Sequence, residues 1–322
     1  MEYRTFGKTG IKVSRQCFGT MSFGHRADYQ MAGTMYKLCR EHGINFFDCA
    51  NVYQSGVAEE YLGSFIHAER EKVVITTKAF SPMGDDPNQR GSSAKNLRKS
   101  LEESLKRLKT EYVDVFFLHG FDDQTDEEEI LRTLDILHRE GKFLCVGVSN
   151  HAAFQVERLL WTAKLEHLAG IHAIQPMYNI AKRMAEVELL PMAQKENLAV
   201  MTYSPLGGGL LTGRYGKGKE GSGRLVENPA YSKRYGGPFY ERVATDFSEL
   251  ARELGLKEAT LAVAWVMANP KVTCPIIGSA NDTQLRDSLA ALEVVLPVEV
   301  MRKIDMISPP LPPAHDRSEV QN

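Results

Sequence analysis

Four residues with complementary acid–base chemistry punctuate the first third of the chain. Asp48 and Tyr53 stand in NFFDCANVYQSG, Lys78 follows VVITT, and His119 follows VDVFFL. Each has a plain structural explanation. Asp48 could cap a turn with Tyr53 lying against it, because strands commonly end in polar turn residues. Lys78 could be a solvated strand terminus and His119 a satisfied core histidine. Together they make a chemical set. A phenol with a pKa of about 10 is a poor proton donor at neutral pH. A neighbouring ammonium favours the phenolate and lowers that pKa, and a carboxylate can hold the ammonium in place. Lowering it by about two units needs roughly 2.7 kcal/mol of differential interaction. A nearby histidine can hydrogen-bond the phenol or a substrate oxygen. Such a set protonates a carbonyl oxygen as charge develops on it.

These residues need a frame that brings strand ends together. Eight short apolar runs suit strands: QCFGT, INFFD, KVVITTK, YVDVFFLH, FLCVGVSN, HAIQP, AVMTYS and TCPIIG. Helical patterns separate most of them. One, from Ser92-Ser93 to about Lys109, carries Leu97, Leu101, Leu105 and Leu108 as one stripe behind capping serines. Another runs from about Asp126 to Arg139 and starts at DDQTDEEE. Carboxylates there complement the helix dipole, so this acidic run suits a solvated helix start better than an interaction patch. YRTFGKTGIKV suits a hairpin turning at Gly7-Lys8-Thr9-Gly10. No repeat or mid-chain linker appears. The expectation is one (β/α)8 barrel domain over residues 1–322. It would carry an N-terminal β-hairpin, a long loop after barrel strand 7 (Gly207 to about Tyr240) and a C-terminal tail, SPPLPPAHDRSEVQN. PPLPP could serve as a polyproline ligand, but a tail folded over the barrel mouth or left disordered suits it better. Active groups of such barrels gather at the C-terminal ends of the strands, where Asp48, Lys78 and His119 fall.

Composition excludes several classes of function. The 322 residues are 43% hydrophobic and 25% charged, an ordinary globular balance, and the formal charge of −2 gives no footprint for nucleic acid or an anionic membrane. No apolar run approaches the roughly 20 residues of a membrane span, and MEYRTFGKTG has no signal-peptide core. A cytoplasmic protein is expected. Cys17, Cys39, Cys49, Cys145 and Cys274 are scattered without metal-ligand spacing, so neither a metal site nor a disulfide is expected.

The sequence resembles the aldo-keto reductases over nearly its whole length. The likeness runs through YRTFGKTGIKVSRQCFGTMSFG, DCANVY, the Lys after VVITT, FFLH, GVSN and IQPMYN. It continues through YSPLGGGLLTGRY and PIIGSANDTQLRDSL in the family's order. That resemblance implies reduction of a small aldehyde or ketone by NADPH on a (β/α)8 barrel. Tyr53 would be the general acid, Lys78 would tune it, Asp48 would orient Lys78, and His119 would position the carbonyl. Nicotinamide recognition would fall to Ser149, Asn150 and Gln175, with Tyr203 stacked on the ring. Gly19, Thr20, Met21 and Asp48 would also border the cofactor. Ser204, Pro205 and Leu206, then Gly207, Gly208 and Gly209, would supply small residues and backbone amides to the pyrophosphate.

At the adenosine end the resemblance implicates Gly278, Ser279, Gln284, Asp287 and Ser288. Asn281 and Gln284 have capping-box spacing, so a helix N-terminus is expected there, which favours phosphate. Some members carry Lys and Arg at the positions of Gly278 and Gln284 for the cofactor's 2′-phosphate. Members nearer to this chain, including potassium-channel beta subunits, place basic residues in the long loop instead, at positions matching Arg214 and Arg224. Ser288 replaces a usual Asn. NADPH is the expected cofactor, with NADH the lesser alternative. GKGKEG at 216–221 matches GxGxxG, but no strand precedes it and no helix immediately follows, so a Rossmann site is not expected. Two other readings compete. A nucleotide-sensing regulator like the channel beta subunits would commonly depart from the histidine that His119 retains. A Schiff-base lyase built on Lys78 would not need Asp48 and Tyr53. The sequence specifies neither the substrate nor the oligomeric state.

Overall fold

The structure, a computed structural model, describes residues 1–215 and 223–317; the side chain of Arg224 falls outside that description. The GxGxxG match at 216–221 and the last five residues of the tail therefore lie outside the described residues. Strands β1 (Tyr3–Thr5) and β2 (Lys12–Ser14) form an antiparallel hairpin, with Tyr3 opposite Ser14. Eight further strands are β3 (Cys17–Gly19), β4 (Phe46–Asp48), β5 (Val74–Ala79) and β6 (Val113–Leu118), then β7 (Phe143–Ser149), β8 (Ile171–Gln175), β9 (Ala199–Thr202) and β10 (Cys274–Ile277). They run parallel in chain order, and β10 pairs with both β9 and β3 to close the barrel. Six fall within the eight apolar runs, while β5 extends one residue past its run, to Ala79, and β8 starts one residue before its run, at Ile171.

Between the strands lie α1 (Tyr29–Glu41), α2 (Val57–Ile66), α3 (Ala94–Leu108), α4 (Glu127–Arg139), α5 (Ala153–Leu165) and α6 (Leu189–Lys195). Ser93 caps α3 by accepting from the Asn96 amide, and the four leucines of its stripe are all buried. Each such burial contributes about 1.5–3 kcal/mol, so this stripe, not the polar face, holds α3 on the sheet. Asp126 caps α4, and three glutamates fill its first turn. The stretch expected as a loop after the seventh barrel strand is instead broken into helical pieces. These are α7 (Arg224–Glu227), α8 (Pro229–Tyr235) and the start of α9 (Pro238–Glu253). Pro229 and Pro238 occupy the first turns of α8 and α9, where a missing amide costs nothing, and Asn228 caps α8. Helices α10 (Glu258–Ala268), α11 (Asp282–Leu289) and α12 (Val298–Ile307) complete the ring. No helix among the described residues is long and apolar enough to cross a membrane.

The strand period of two decides what enters the barrel. Phe46, Val74, Val115, Phe117, Cys145, Ala173, Ala199, Met201, Cys274 and Ile276 form the interior cluster, and Phe6 of the hairpin joins it. Phe6 meets Phe46 edge to face at 5.6 Å, closing the base. Gly147 makes room for this packing: a Cβ there would lie 2.3 Å from the Phe117 ring. Two residues beyond the interior members, the same alternation delivers Asp48, His119, Gln175 and Tyr203 to the mouth, and on β7 it carries Cys145 through Gly147 to Ser149. On β5 it carries Val74 inward through Thr76 to Lys78. All five cysteines are free and buried.

Candidate active site

Asp48 ends β4 and is almost fully buried, so its carboxylate needs internal donors. It has three. Lys78 donates to Oδ2 at 2.6 Å, while Thr76 and Gln175 donate to Oδ1 at 2.7 and 2.9 Å. Thr20 holds the Asp48 carbonyl through its amide and hydroxyl. Lys78, at 0% exposure, also donates to the Cys49 carbonyl at 2.6 Å. Its Nζ sits 5.1 Å from the centroid of the Tyr53 ring. Burial works against the Lys78 ammonium, but the Asp48 carboxylate and the Tyr53 oxygen outweigh it and hold its pKa above the ordinary lysine value.

Tyr53 begins a single 3-10 turn over the mouth. Its ring meets His119 edge to face, 6.0 Å between centroids. The expected fall in its pKa is corrected in the net. Burial pushes the phenol up to about 12, and the Lys78 charge pulling down only partly offsets this. The sequence shows the ammonium but not the desolvation, which depends on the closed mouth. At neutral pH the phenol therefore holds its proton. Burial, reinforced by Lys78, brings the His119 imidazole down to about 3, so it is neutral. Its Nδ1 is buried with no hydrogen-bond partner among the described residues.

A cleft of about 580 Å³ runs from these groups to the far rim. Gly19, Met21, Asp48, Tyr53, His119, Ser149, Asn150, Gln175 and Tyr203 line one end. Ser204, Pro205, Leu206, Gly208, Gly209 and Arg214 continue it, and Gly278, Ser279, Gln284 and Asp287 finish it. The polar groups at the near end are tied to one another. Ser149 Oγ donates to the Gln175 carbonyl at 2.9 Å. Asn150 Nδ2 donates to the His119 carbonyl at 2.9 Å, and Tyr203 Oη donates to Asn150 Oδ1 at 2.7 Å. Gln175 thus grips Asp48 with its amide nitrogen, a role the sequence did not suggest. Gln54, Ser55, Asn150 and Ser204 all hold positive φ beside this end, the kind of backbone strain that gathers at functional sites.

Some expected residues stand elsewhere. Thr20 and Lys78 support the cleft from behind, and Gly207 is buried beneath it. Ser288 does not line it: the residue is buried on α11, and its carbonyl accepts from Gln16 Nε2 at 3.0 Å. Asn281 caps α11 as expected, but the Gln284 side chain accepts from the Ala280 amide, one residue before the cap. Arg224 opens α7, with its side chain outside the described residues. The tail contributes no lining residue among those described, so it does not cover the cleft up to residue 317. Sequence reasoning missed Ser22, Arg26, Tyr231 and Arg234, which also line it. Arg234 and Tyr235 stand three and four residues after Tyr231, and that spacing was the available signal for a helical face.

The cleft fits a dinucleotide. Gly208 and Gly209 hold φ of 67° and 110°, conformations open to glycine, and a Cβ at Gly208 would lie 2.5 Å from the Tyr231 ring. The α11 N-terminus closes the far end. Ser22 Oγ, buried and without a partner among the described residues, lines the cleft as an orphaned polar atom.

A family described as the Aldo/keto reductase family matches residues 16–309. The chain belongs to that family of oxidoreductases. Among known proteins it is 37% identical over 320 residues to the Uncharacterized oxidoreductase YrpG of Bacillus subtilis (strain 168), covering 96% of each chain. It is 35% identical to a Probable voltage-gated potassium channel subunit beta of Arabidopsis thaliana, covering 95% of this chain and 96% of that one. Protein tas of Escherichia coli (strain K12) is 31% identical, with 95% and 97% covered.

Proposed function

We propose that the protein is an NADPH-dependent reductase that converts aldehydes or ketones to alcohols, with Tyr53 as general acid. The observation that carries this reading is the buried Lys78–Asp48 pair, 2.6 Å apart, beneath the Tyr53 ring. A paired charge in a water-poor site is ready to stabilise a phenolate without reorganising. NADPH, when bound, supplies a hydride to the carbonyl carbon. The chain's own residues supply the proton and its control. Tyr53 Oη gives its proton to the carbonyl oxygen as negative charge grows there. The transfer runs downhill, because an alkoxide is far more basic than a phenolate even with the phenol at about 12. Lys78 then faces the phenolate, held by Asp48 and the Cys49 carbonyl. His119 is neutral, and its Nδ1 lacks a partner. Placing its proton on Nε2 leaves only an acceptor orphaned and keeps a donor for the substrate oxygen.

For the cofactor, Ser149, Asn150 and Gln175 would meet the carboxamide and Tyr203 the nicotinamide face. Gly208, Gly209 and the α11 N-terminus would meet the phosphates. Arg214, on the cleft, and Arg224 are the cations proposed to favour NADPH over NADH. A second reading, a nucleotide-sensing subunit with little turnover, has support in the 35% identity to the channel beta relative. A panel of aldehydes, ketones and sugar-like carbonyls, followed by loss of NADPH absorbance, separates the two. Turnover of any member supports the reductase. Tight NADPH binding with no turnover across the panel supports the subunit.

A further inference from the structure

The reductase reading leaves Arg234 and Lys257 on the cleft without a task, and Arg234 stands out by how it is held. Arg234 lies on α8, where Tyr231 and Arg234 line the cleft, while Ser232 and Lys233 are exposed on the other face. Its position is fixed from below. Tyr235, the next residue, is buried, and its hydroxyl accepts from Asn179 Nδ2 at 3.1 Å; the same nitrogen donates to the Ser204 carbonyl at 2.9 Å. Residue 204 directly follows Tyr203, so this clamp ties α8 to the end of the cleft that holds Tyr53 and His119. Tyr231 packs on Gly208, and the Arg234 guanidinium lies over the Tyr231 ring, 5.0 Å from its centroid. An arginine so held keeps its hydrogen-bonding edge free while its face is covered.

Its partners distinguish it from Arg26, which also lines the cleft. Arg26 is neutralised by Glu227. Arg234 makes no ion pair among the described residues. Its charge is nonetheless felt nearby: burial raises the Tyr203 phenol, and Arg234 pulls against that rise. A second cation, Lys182, lies 5.5 Å from the Tyr235 ring centroid and adds positive charge behind the same helix. A half-buried guanidinium facing a polar cleft calls for an anion.

We infer that Arg234 is a specificity-determining residue that anchors a carboxylate or similar anionic group on the carbonyl substrate, while Tyr53 and His119 engage the carbonyl oxygen. This rests on the reductase reading. The same guanidinium chemistry could instead be met by the cofactor's pyrophosphate, so the test separates the two sources.

Purified full-length protein is assayed with 4-carboxybenzaldehyde and with the neutral 4-nitrobenzaldehyde, in wild type, Arg234→Met and Arg234→Lys. NADPH dissociation constants are measured in parallel by fluorescence quenching, which also shows that each variant has folded. The wild type is expected to prefer the carboxylated aldehyde by at least about tenfold in kcat/KM, a modest return for one charge-assisted contact. In Arg234→Met that preference should fall by about tenfold or more, chiefly through KM, with Arg234→Lys in between. NADPH affinity should stay within about twofold in both, and benzoate should inhibit wild type more strongly than Arg234→Met. A wild type without the preference, or an Arg234→Met that keeps it, overturns the inference. Weaker NADPH binding with an unaltered preference assigns Arg234 to the pyrophosphate and also overturns it, leaving the reductase reading intact. Failure to reduce either aldehyde, or any carbonyl of the wider panel, while NADPH binds defeats the reductase reading and this inference with it.

Discussion

Among the described residues two cations are 2% exposed or less, one at each end of the barrel, and they are held in different ways. At the base, Arg15 is 2% exposed and donates only to backbone carbonyls, those of Met267, Val272 and Thr273. Burial, with the nearby Arg4 charge, brings its pKa down to about 10, and it faces the turn before β10. At the mouth, Lys78 is held against a carboxylate, its pKa is raised, and a phenol and an imidazole stand above it on an open cleft. Burying a cation therefore does not by itself mark a working site. Arg15 spends its donors on closing the chain, with Phe6 and Phe46 sealing the floor nearby. Lys78 has a counter-charge behind it and a titratable partner in front, so its field can act on a reaction.

Replacing each cation by methionine sharpens this contrast. Lys78→Met should lower turnover by about a thousandfold, within the range for loss of acid–base function. It also strands the Asp48 carboxylate, so stability should fall by about 3–5 kcal/mol in urea unfolding. Turnover of the folded variant within about tenfold of wild type would break the comparison. Arg15→Met should leave turnover within about twofold and cost about 1.5–3 kcal/mol of stability, as for a lost hydrogen bond from a charged group. A large fall in its turnover would show that the base of the barrel also serves the chemistry.

A further substitution tests the proposed role of Arg224 at the cofactor's 2′-phosphate. Arg224→Ala should weaken NADPH binding by about 1.5–3 kcal/mol while NADH binding holds, with added salt narrowing the gap between the cofactors. Fluorescence titration of both cofactors checks this. An equal loss for both would mean that Arg224 only supports α7, and no loss for either would turn attention to Arg214.

The smallest effect expected is on pH dependence. Burial depresses His119 to about 3, whereas the unfolded chain takes up a proton below about 6.5. Over that window the unfolded state binds more protons, so this residue makes the fold less stable as pH falls from about 6.5 towards 3. His119→Asn should therefore narrow the difference in urea midpoint between about pH 7 and about pH 5. An unchanged difference would show that His119 is not held neutral by its surroundings.

The frame of the molecule was more legible in the sequence than the site's electrostatics. Runs such as VVITT and VDVFFL are apolar on both faces and bounded by polar turns, which suits strands of a barrel buried inside and out. The leucine stripe of α3 is equally plain. Helices α7 and α8 were not, because four and seven residues in a glycine-rich context carry too little periodicity. The pairing of Lys78 with Asp48 follows from residue type and strand position. The rise of Tyr53 to about 12 does not, since burial is a property of the assembled mouth. Gln175 holding Asp48 at 2.9 Å joins residues 127 apart in the chain, and no local pattern announces such a contact.

The central claim is that Tyr53 delivers the proton under the control of Lys78 and Asp48. Its most direct test is the turnover of Tyr53→Phe on whichever carbonyl of the panel the wild type reduces best, with NADPH affinity measured on the same preparation. Removing the hydroxyl leaves the ring, the Lys78–Asp48 pair and the cleft in place. Turnover should fall by at least about a hundredfold, with NADPH affinity changed by less than about twofold. Near-wild-type turnover in that variant would contradict the account.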